Sequence, residues 1–240
     1  MITVEEIKKN WQTVMTNVDT ACQEANRDKD DVQVIAVSKT YPDELIINAL
    51  KAGITVFGEN YAQELRDKHK AVPEVDGEKP VWHFIGHLQR NKVKHIAHFV
   101  EYIHTVDSIK LAEEISKQAS KHNRMIKCLL QVNTSGEESK SGCEPNDVLS
   151  LAERILQVPN IKVEGLMTIG SFSDNEKIVR GEFSMLRKIK EKVNSRFPEA
   201  DLKHLSMGMS HDYQWAIEEE ATFVRVGTSI FGLRSCNINL

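Results

Sequence analysis

Apolar residues fall into two alternating rhythms along this chain. Over residues 4–25, Val4, Ile7, Trp11, Val14, Val18, Ala21 and Ala25 recur at helical spacing, and Thr3 followed by Glu6 is a capping-box pattern. The spacing predicts a first helix that ends near Asn26. The rhythm then changes. Val34-Ile35-Ala36-Val37 is apolar on both faces, as expected of a strand covered on both sides, and runs through Ser38 to Lys39. Leu45, Ile46, Ala49 and Leu50 return to helical spacing and stop at Gly53.

The exchange repeats to the end of the chain. Further strands are predicted at 54–57, 81–85, 100–106, 126–132, 161–169, 202–205 and 222–226. Between them helical spacing marks a polar segment around Leu65, then Val93, Ile96 and Ala97, then Leu111, Ile115 and Ala119. A segment opened by Pro145, residues 175–195, a turn at Trp215-Ala216-Ile217 and a last turn at Phe231 and Leu233 follow. Eight strands, each followed by a helix or helical turn, make a parallel sheet. In 240 residues this predicts an α/β fold: a single (β/α)8 TIM-type barrel with an extra N-terminal helix, one domain over 1–240. A doubly wound open sheet is the alternative. It usually carries a glycine-rich nucleotide loop, and neither Gly-x-Gly nor Gly-x-x-x-x-Gly-Lys occurs here.

Composition narrows the setting. The chain is 40% hydrophobic and 28% charged with a formal net charge of −4, so its overall field gives no reason to expect nucleic acid. The basic run Arg90, Lys92, Lys94 reads as the solvated side of a helix. Cys22, Cys128, Cys143 and Cys236 form no Cys-x-x-Cys pair. The start lacks a secretory apolar core and no run is long enough to span a membrane. A cytoplasmic monomer is expected.

In a barrel of this kind the working residues lie at the C-terminal ends of the strands. That rule selects Lys39, Asn60, His87, Asn133, Met167, Thr168, the Ser206-Met207-Gly208-Met209-Ser210 loop, and Arg225 with Gly227-Thr228-Ser229. An ammonium beside apolar walls loses hydration, and a neutral amine attacks an aldehyde to form a Schiff base. Alternatively, Lys39 caps a strand and snorkels to solvent. The Gly/Ser-rich loops after strands seven and eight suit a phosphate, which needs open backbone N–H groups and hydroxyls. Arg225 shares a strand face with Gly227 and, if inward, needs an acceptor: a buried glutamate or a ligand nitrogen. A Schiff-base lysine, a phosphate cradle and an inward arginine together describe pyridoxal 5′-phosphate (PLP).

At these residues the chain resembles the PLP homeostasis protein family, whose fold is the barrel domain of alanine racemase. The matching stretches are Ala36-Val37-Ser38-Lys39, Gly58-Glu59-Asn60-Tyr61, His83-Phe84-Ile85-Gly86-His87-Leu88-Gln89, Gly165-Leu166-Met167-Thr168-Ile169, Ser206-Met207-Gly208-Met209-Ser210 and Arg225-Val226-Gly227-Thr228-Ser229-Ile230-Phe231-Gly232. The resemblance implies that Lys39 holds PLP as a Schiff base and that Arg225 meets the pyridine nitrogen. It implies that Ser206, Gly227 and Thr228 bind the phosphate with Met207 and Ser210 close by, and that Asn60 lies near the ring. It further implies a role in vitamin B6 and amino-acid homeostasis without known turnover, with apo PLP-dependent enzymes as partners.

Racemisation needs a base on each face of the α-carbon. In alanine racemase one of these is a tyrosine from a C-terminal domain. Here the chain ends eight residues after Gly232, and none of Tyr41, Tyr61, Tyr102 and Tyr213 is expected to face Lys39. A PLP-dependent racemase or lyase, and a sugar-phosphate enzyme with an aldolase-type lysine, remain the alternatives. His83 and His87 sit on a strand and its exit, a poor zinc arrangement. His95 and His98 read as surface, Cys128 as core, and Lys140 as a solvated loop lysine, with reach to the site mouth as the alternative.

Overall fold

A computed structural model of the chain describes residues 2–137 and 139–233. Cys236, and the tail from Ser235 to Leu240, lie outside the described residues.

The first helix, α1 (Val4–Glu24), opens with the expected capping box: the Thr3 side chain accepts from the Glu6 N–H while Glu6 accepts from the Thr3 N–H. It ends where Asn26 takes a φ of 53° and the Arg27 N–H reaches back to Cys22 O at 2.8 Å. The barrel follows. Its strands are β1 (Gln33–Val37), β2 (Val56–Glu59), β3 (Val81–Phe84), β4 (Tyr102–Val106), β5 (Ile126–Gln131), β6 (Ile161–Met167), β7 (His204–Met209) and β8 (Phe223–Val226), all parallel and paired in chain order. The sheet closes where β1 pairs β8, with Ile35 opposite Arg225 and Ala36 opposite Val226.

The helices are α2 (Asp43–Lys51), α3 (Ala62–Ala71), α4 (Ile109–Lys121), α5 (Val148–Ile155), α6 (Glu176–Arg196), α7 (Tyr213–Glu218) and α8 (Thr228–Phe231). After β3 the chain makes a 3₁₀ segment, Arg90–His95, in place of an α-helix. Arg90 and Lys94 are exposed on it while Val93 is buried. A 3₁₀ turn over Pro145–Asp147 precedes α5. Helix α1 packs on α7, α8 and α2, and Asn10 Nδ2 donates to Ile230 O at 3.0 Å, tying it to α8.

Alternation along each strand separates two cores. Residues such as Ala36, Phe57, Trp82, Ile103, Leu166, Val224 and Val226 pack outward against the helices. Ile35, Tyr102, Leu129, Met167 and Phe223 form a smaller cluster inside the barrel.

Two strands run past their expected ends. Strand β2 runs through Gly58 and Glu59, beyond the expected end at Phe57. Gly58 is there for packing: a Cβ would lie 2.8 Å from Ile35 Cγ2 and 3.0 Å from Ile85 Cδ1. Strand β7 extends through Ser206, Met207 and Gly208, expected in a loop. Its polar residue is satisfied inside the barrel, as described next. No helix among the described residues is long and apolar enough to cross a membrane.

Candidate ligand-binding site

Lys39 lies two residues beyond β1, partly buried at the C-terminal rim. It occupies a turn closed by the Tyr41 N–H on Ser38 O at 3.1 Å, in which Thr40 has a φ of 65°. That is the pattern of a type II turn, whose third residue is ordinarily glycine. A β-branched residue there is strained by about 1–3 kcal/mol and persists only where its surroundings hold it.

Those surroundings are an ionic cluster. Lys68 of α3, only 4% exposed, donates to Ser38 O at 2.6 Å, to Glu59 Oε1 at 2.8 Å and to Glu64 Oε1 at 2.6 Å. Glu59 also accepts from Ser38 Oγ at 2.6 Å, and Glu64 Oε1 from the Thr40 N–H at 2.6 Å. Burial pushes the Glu59 carboxyl up to about 7 against the pull of Lys68 and Ser38. Sequence reading missed all three residues. On a polar helix, Glu64 and Lys68 look like an ordinary exposed i,i+4 pair.

Arg225 points into the barrel, the case in which it needs an acceptor. Its Nη1 donates to Ser206 Oγ at 2.7 Å and its Nη2 to Thr168 O at 2.9 Å. Both acceptors are uncharged, so the expected choice between a glutamate and a ligand is answered in part by the barrel's own oxygens. Burial lowers the guanidinium to about 10, which leaves it charged at neutral pH.

Behind Ser206 the polar chain continues. His104 Nδ1 lies 2.9 Å from Ser206 Oγ, and His104 Nε2 lies 3.0 Å from His83 Nδ1. Burial holds His83 down to about 3 and His104 well below the ordinary imidazole range. Both rings are therefore neutral. A donor chain from Arg225 through the Ser206 hydroxyl to His104 and His83 satisfies every contact. Ser206, expected to bind phosphate, is thus already engaged inside the barrel. Met207, its outward neighbour, packs fully buried in the helix-facing core rather than at the mouth.

The loops after β7 and β8 do meet. The Gly227 N–H donates to Ser210 Oγ at 3.2 Å. Thr228 opens α8 and is exposed, and the first N–H groups of a helix have no partner within it. Elsewhere around the barrel, Asn60 Oδ1 and Gln131 Oε1 are buried without a hydrogen-bond partner among the described residues. Thr134 and Thr168 share a hydroxyl contact of 2.9 Å. Lys140 is not simply solvated: its Nζ bridges Glu137 Oε1 at 2.5 Å and Gly170 O at 3.0 Å.

His83 and His87 separate, one inside the barrel and one on the rim. No group of three or more metal-ligating side chains stands together among the described residues. His98 lies in a surface ring cluster with His69, Phe99 and His122.

Residues 2–235 match the family model "Alanine racemase, N-terminal domain". A protein of Aquifex aeolicus (strain VF5) called "Pyridoxal phosphate homeostasis protein" is 44% identical over 221 residues, 92% of this chain and 95% of that protein. Among solved structures, PipY of Synechococcus elongatus PCC7942, with PLP bound, superposes with a TM-score of 0.82 at 31% identity, covering 94% of this chain and 100% of that one. Alanine racemase of Clostridium difficile 630 shares the fold, with a TM-score of 0.74 at 14% identity over 98% of this chain and 59% of that one. At 44% identity over 92% of its length to the Aquifex aeolicus protein, and with residues 2–235 matching the family model, this chain belongs to the alanine racemase N-terminal domain family and, within it, to the pyridoxal phosphate homeostasis proteins.

Proposed function

We propose that this chain holds PLP through Lys39 and serves vitamin B6 and amino-acid homeostasis without sustained turnover of its own. The observation that carries the reading is the β1–β8 seam. Closing the barrel there sets the Lys39 turn beside the strand that bears Arg225 and leads into Gly227-Thr228. When bound, PLP supplies an aldehyde that a lysine amine captures, with loss of one water, and a ring that stabilises negative charge.

The residues present fit that group. Lys39 offers the amine. Ser210 and Thr228 offer hydroxyls and the start of α8 offers backbone N–H groups for the phosphate, with the Gly227 N–H orienting Ser210 Oγ. Arg225, charged and fixed from behind by Ser206, faces the pyridine nitrogen and keeps it unprotonated, since guanidinium does not readily yield a proton. The unpartnered Asn60 terminus suits the ring's phenolic oxygen, because an amide presents a donor or an acceptor according to its rotation. Ser206 orients Arg225 in this reading and does not itself bind phosphate; Met207 supports the strand from outside.

The tyrosines support holding over turnover. Tyr41 is buried with its hydroxyl on Gly232 O at 2.6 Å, Tyr102 bonds Glu164 in the barrel interior, Tyr213 is buried in α7, and Tyr61 is 59% exposed. Tyr41, Tyr102 and Tyr213 are thus packed inside the fold rather than presented as a second base opposite Lys39. Free thiols at Cys22, Cys128 and Cys143 support a reducing, cytoplasmic setting. The chain acts in this reading as a monomer that passes PLP to apo-enzymes.

The test is the absorbance spectrum with and without borohydride, for the protein and for Lys39→Ala. A visible band that borohydride bleaches, and that Lys39→Ala lacks, is expected; a band retained in Lys39→Ala overturns the assignment. Chiral analysis after incubation with single L-amino acids separates a carrier from a racemase, since sustained turnover excludes the carrier.

A further inference from the structure

We propose that Glu64 and Lys68 of α3, with Glu59 of β2, are positioning residues that hold the Lys39 turn so that its amine is presented to PLP. The proposal rests on the reading of Lys39 as the PLP-binding lysine and adds residues that the reading does not contain.

The cluster docks α3 on the barrel, and what sets it apart is which groups its bonds reach. Here two bonds end on main chain, and on two particular peptide groups. Lys68 Nζ donates to Ser38 O, the carbonyl of the peptide before Lys39. Glu64 accepts from the Thr40 N–H, the amide of the peptide after it. Lys39 is thus gripped on both sides through its backbone.

The grip has something to resist. Thr40 at a φ of 65° is a β-branched residue in a conformation suited to glycine. Released, the turn would relax toward negative φ, rotating the peptide planes on either side of Lys39 and moving its Cβ direction. Glu64 and Lys68 oppose that relaxation at opposite ends of the turn. Glu59, 0% exposed, secures Lys68 and Ser38 together from β2. One helical turn of α3 carries both Glu64 and Lys68, so the strand end, the turn and the helix form one unit.

Lys39 captures the PLP aldehyde by forming one carbon–nitrogen double bond and releasing one water, and the equilibrium depends on the amine being held where the anchored aldehyde lies. The prediction is therefore a loss of imine formation that exceeds any loss of folding.

The experiment titrates PLP into the PLP-free protein and into Glu64→Ala, Glu64→Gln and Glu64→Ala/Thr40→Gly. It reads the visible band, the mass of the borohydride-fixed pyridoxyl group on the Lys39 peptide, and thermal unfolding without PLP. Glu64→Ala should weaken imine formation about tenfold. Glu64→Gln keeps an acceptor oxygen for the Thr40 N–H and should stay within about threefold of the parent protein. Thr40→Gly removes the strain the clamp resists and should restore part of the loss in Glu64→Ala. Should Glu64→Ala not fold, Glu64→Asp, which keeps the charge and shortens the reach, takes its place.

Parent-like imine formation in Glu64→Ala, whatever its melting temperature, overturns the proposal and leaves the cluster a purely structural tie. So does a Glu64→Gln loss as large as that of Glu64→Ala, or an absence of glycine rescue. A parent protein without the band, or Lys39→Ala with it, overturns the reading of Lys39 instead, and the two failures are distinguishable.

Discussion

Ser206 Oγ lies 2.7 Å from Arg225 Nη1, inside the barrel and away from solvent. The serine that motif reading placed on a phosphate is spent on an arginine. Removing it leaves a buried guanidinium N–H without its acceptor and His104 without its hydroxyl partner. Ser206→Ala should destabilise the PLP-free protein by about 1–3 kcal/mol in urea unfolding. Its effect on PLP retention should be smaller than that of Ser210→Ala combined with Thr228→Val, which strips the phosphate side. The reverse ranking would return Ser206 to the phosphate cradle.

Much of this was legible before the structure, and the rest was hidden for specific reasons. Eight alternations of period near two and near 3.6 were enough for the barrel, because parallel strands covered on both faces announce themselves as apolar runs. The boundaries of β2 and β7 failed for one shared reason. A small barrel's interior accepts glycine where side chains from neighbouring strands crowd, as at Gly58, and accepts polar residues where they satisfy one another, as at Ser206, His104 and His83. Neither resembles an apolar strand. Met207 was recoverable by parity: with Ser206 inward, Met207 must point outward. The Glu59–Lys68–Glu64 cluster was not recoverable, because only the docking of α3 over the end of β1 buries what would otherwise be a surface ion pair.

Gly86 carries a sharper constraint than Gly58. A Cβ at Gly86 would sit 2.2 Å from Asn60 O and 2.6 Å from Asn60 Cα, both main-chain atoms that cannot rotate away. At Gly58 the colliding atoms are the side chains of Ile35 and Ile85. Gly58→Ala should cost about 1–3 kcal/mol, typical of overpacking that side chains can absorb. Gly86→Ala must displace Asn60 itself, so it should lower PLP affinity as well as the melting temperature. Equal PLP affinities in two folded variants would show that Asn60 does not contribute to the site.

Glu59 makes stability depend on pH in an unusual direction. Its carboxyl is raised in the folded protein, from an ordinary value near 4.5 to about 7, because burial outweighs the help of Lys68 and Ser38. A raised folded value means that the folded state holds the proton more tightly than the unfolded chain. The contribution is fully present below about 4.5 and is lost as pH rises through about 7. Glu59→Gln keeps an acceptor oxygen for Ser38 and Lys68 but does not titrate. Its stability relative to the parent should therefore climb by more than about 1 kcal/mol between pH 5 and pH 8, measured by urea unfolding at each pH. A difference that stays flat, or falls, across that range contradicts the assignment.

His83 and His104 act in the opposite sense. Both imidazoles are neutral in the barrel, His83 held down to about 3 chiefly by burial and by Lys127, and His104 well below its ordinary range by burial, His83 and Arg225. In the unfolded chain each would take a proton below about 6.5. Depressed folded values mean stability that is present above about 6.5 and lost as pH falls toward 3. Protonating either ring would also put a cation beside Arg225 or its relay, with no carboxylate of the described residues among the hydrogen-bond partners of His83, His104, Ser206 and Arg225 to receive it. His83→Gln removes one titrating group and its bond to His104. It should be less stable than the parent at pH 7, yet its stability should decline less steeply between pH 6.5 and pH 4.5. The slopes of unfolding free energy against pH decide the matter: parallel slopes would mean that His83 is not what makes the barrel interior acid-sensitive. Because His104 links His83 to Ser206, the same variant should weaken PLP binding more at pH 5.5 than at pH 8 only if disorder spreads along that chain to Arg225. A PLP titration at the two pH values reads that spread directly.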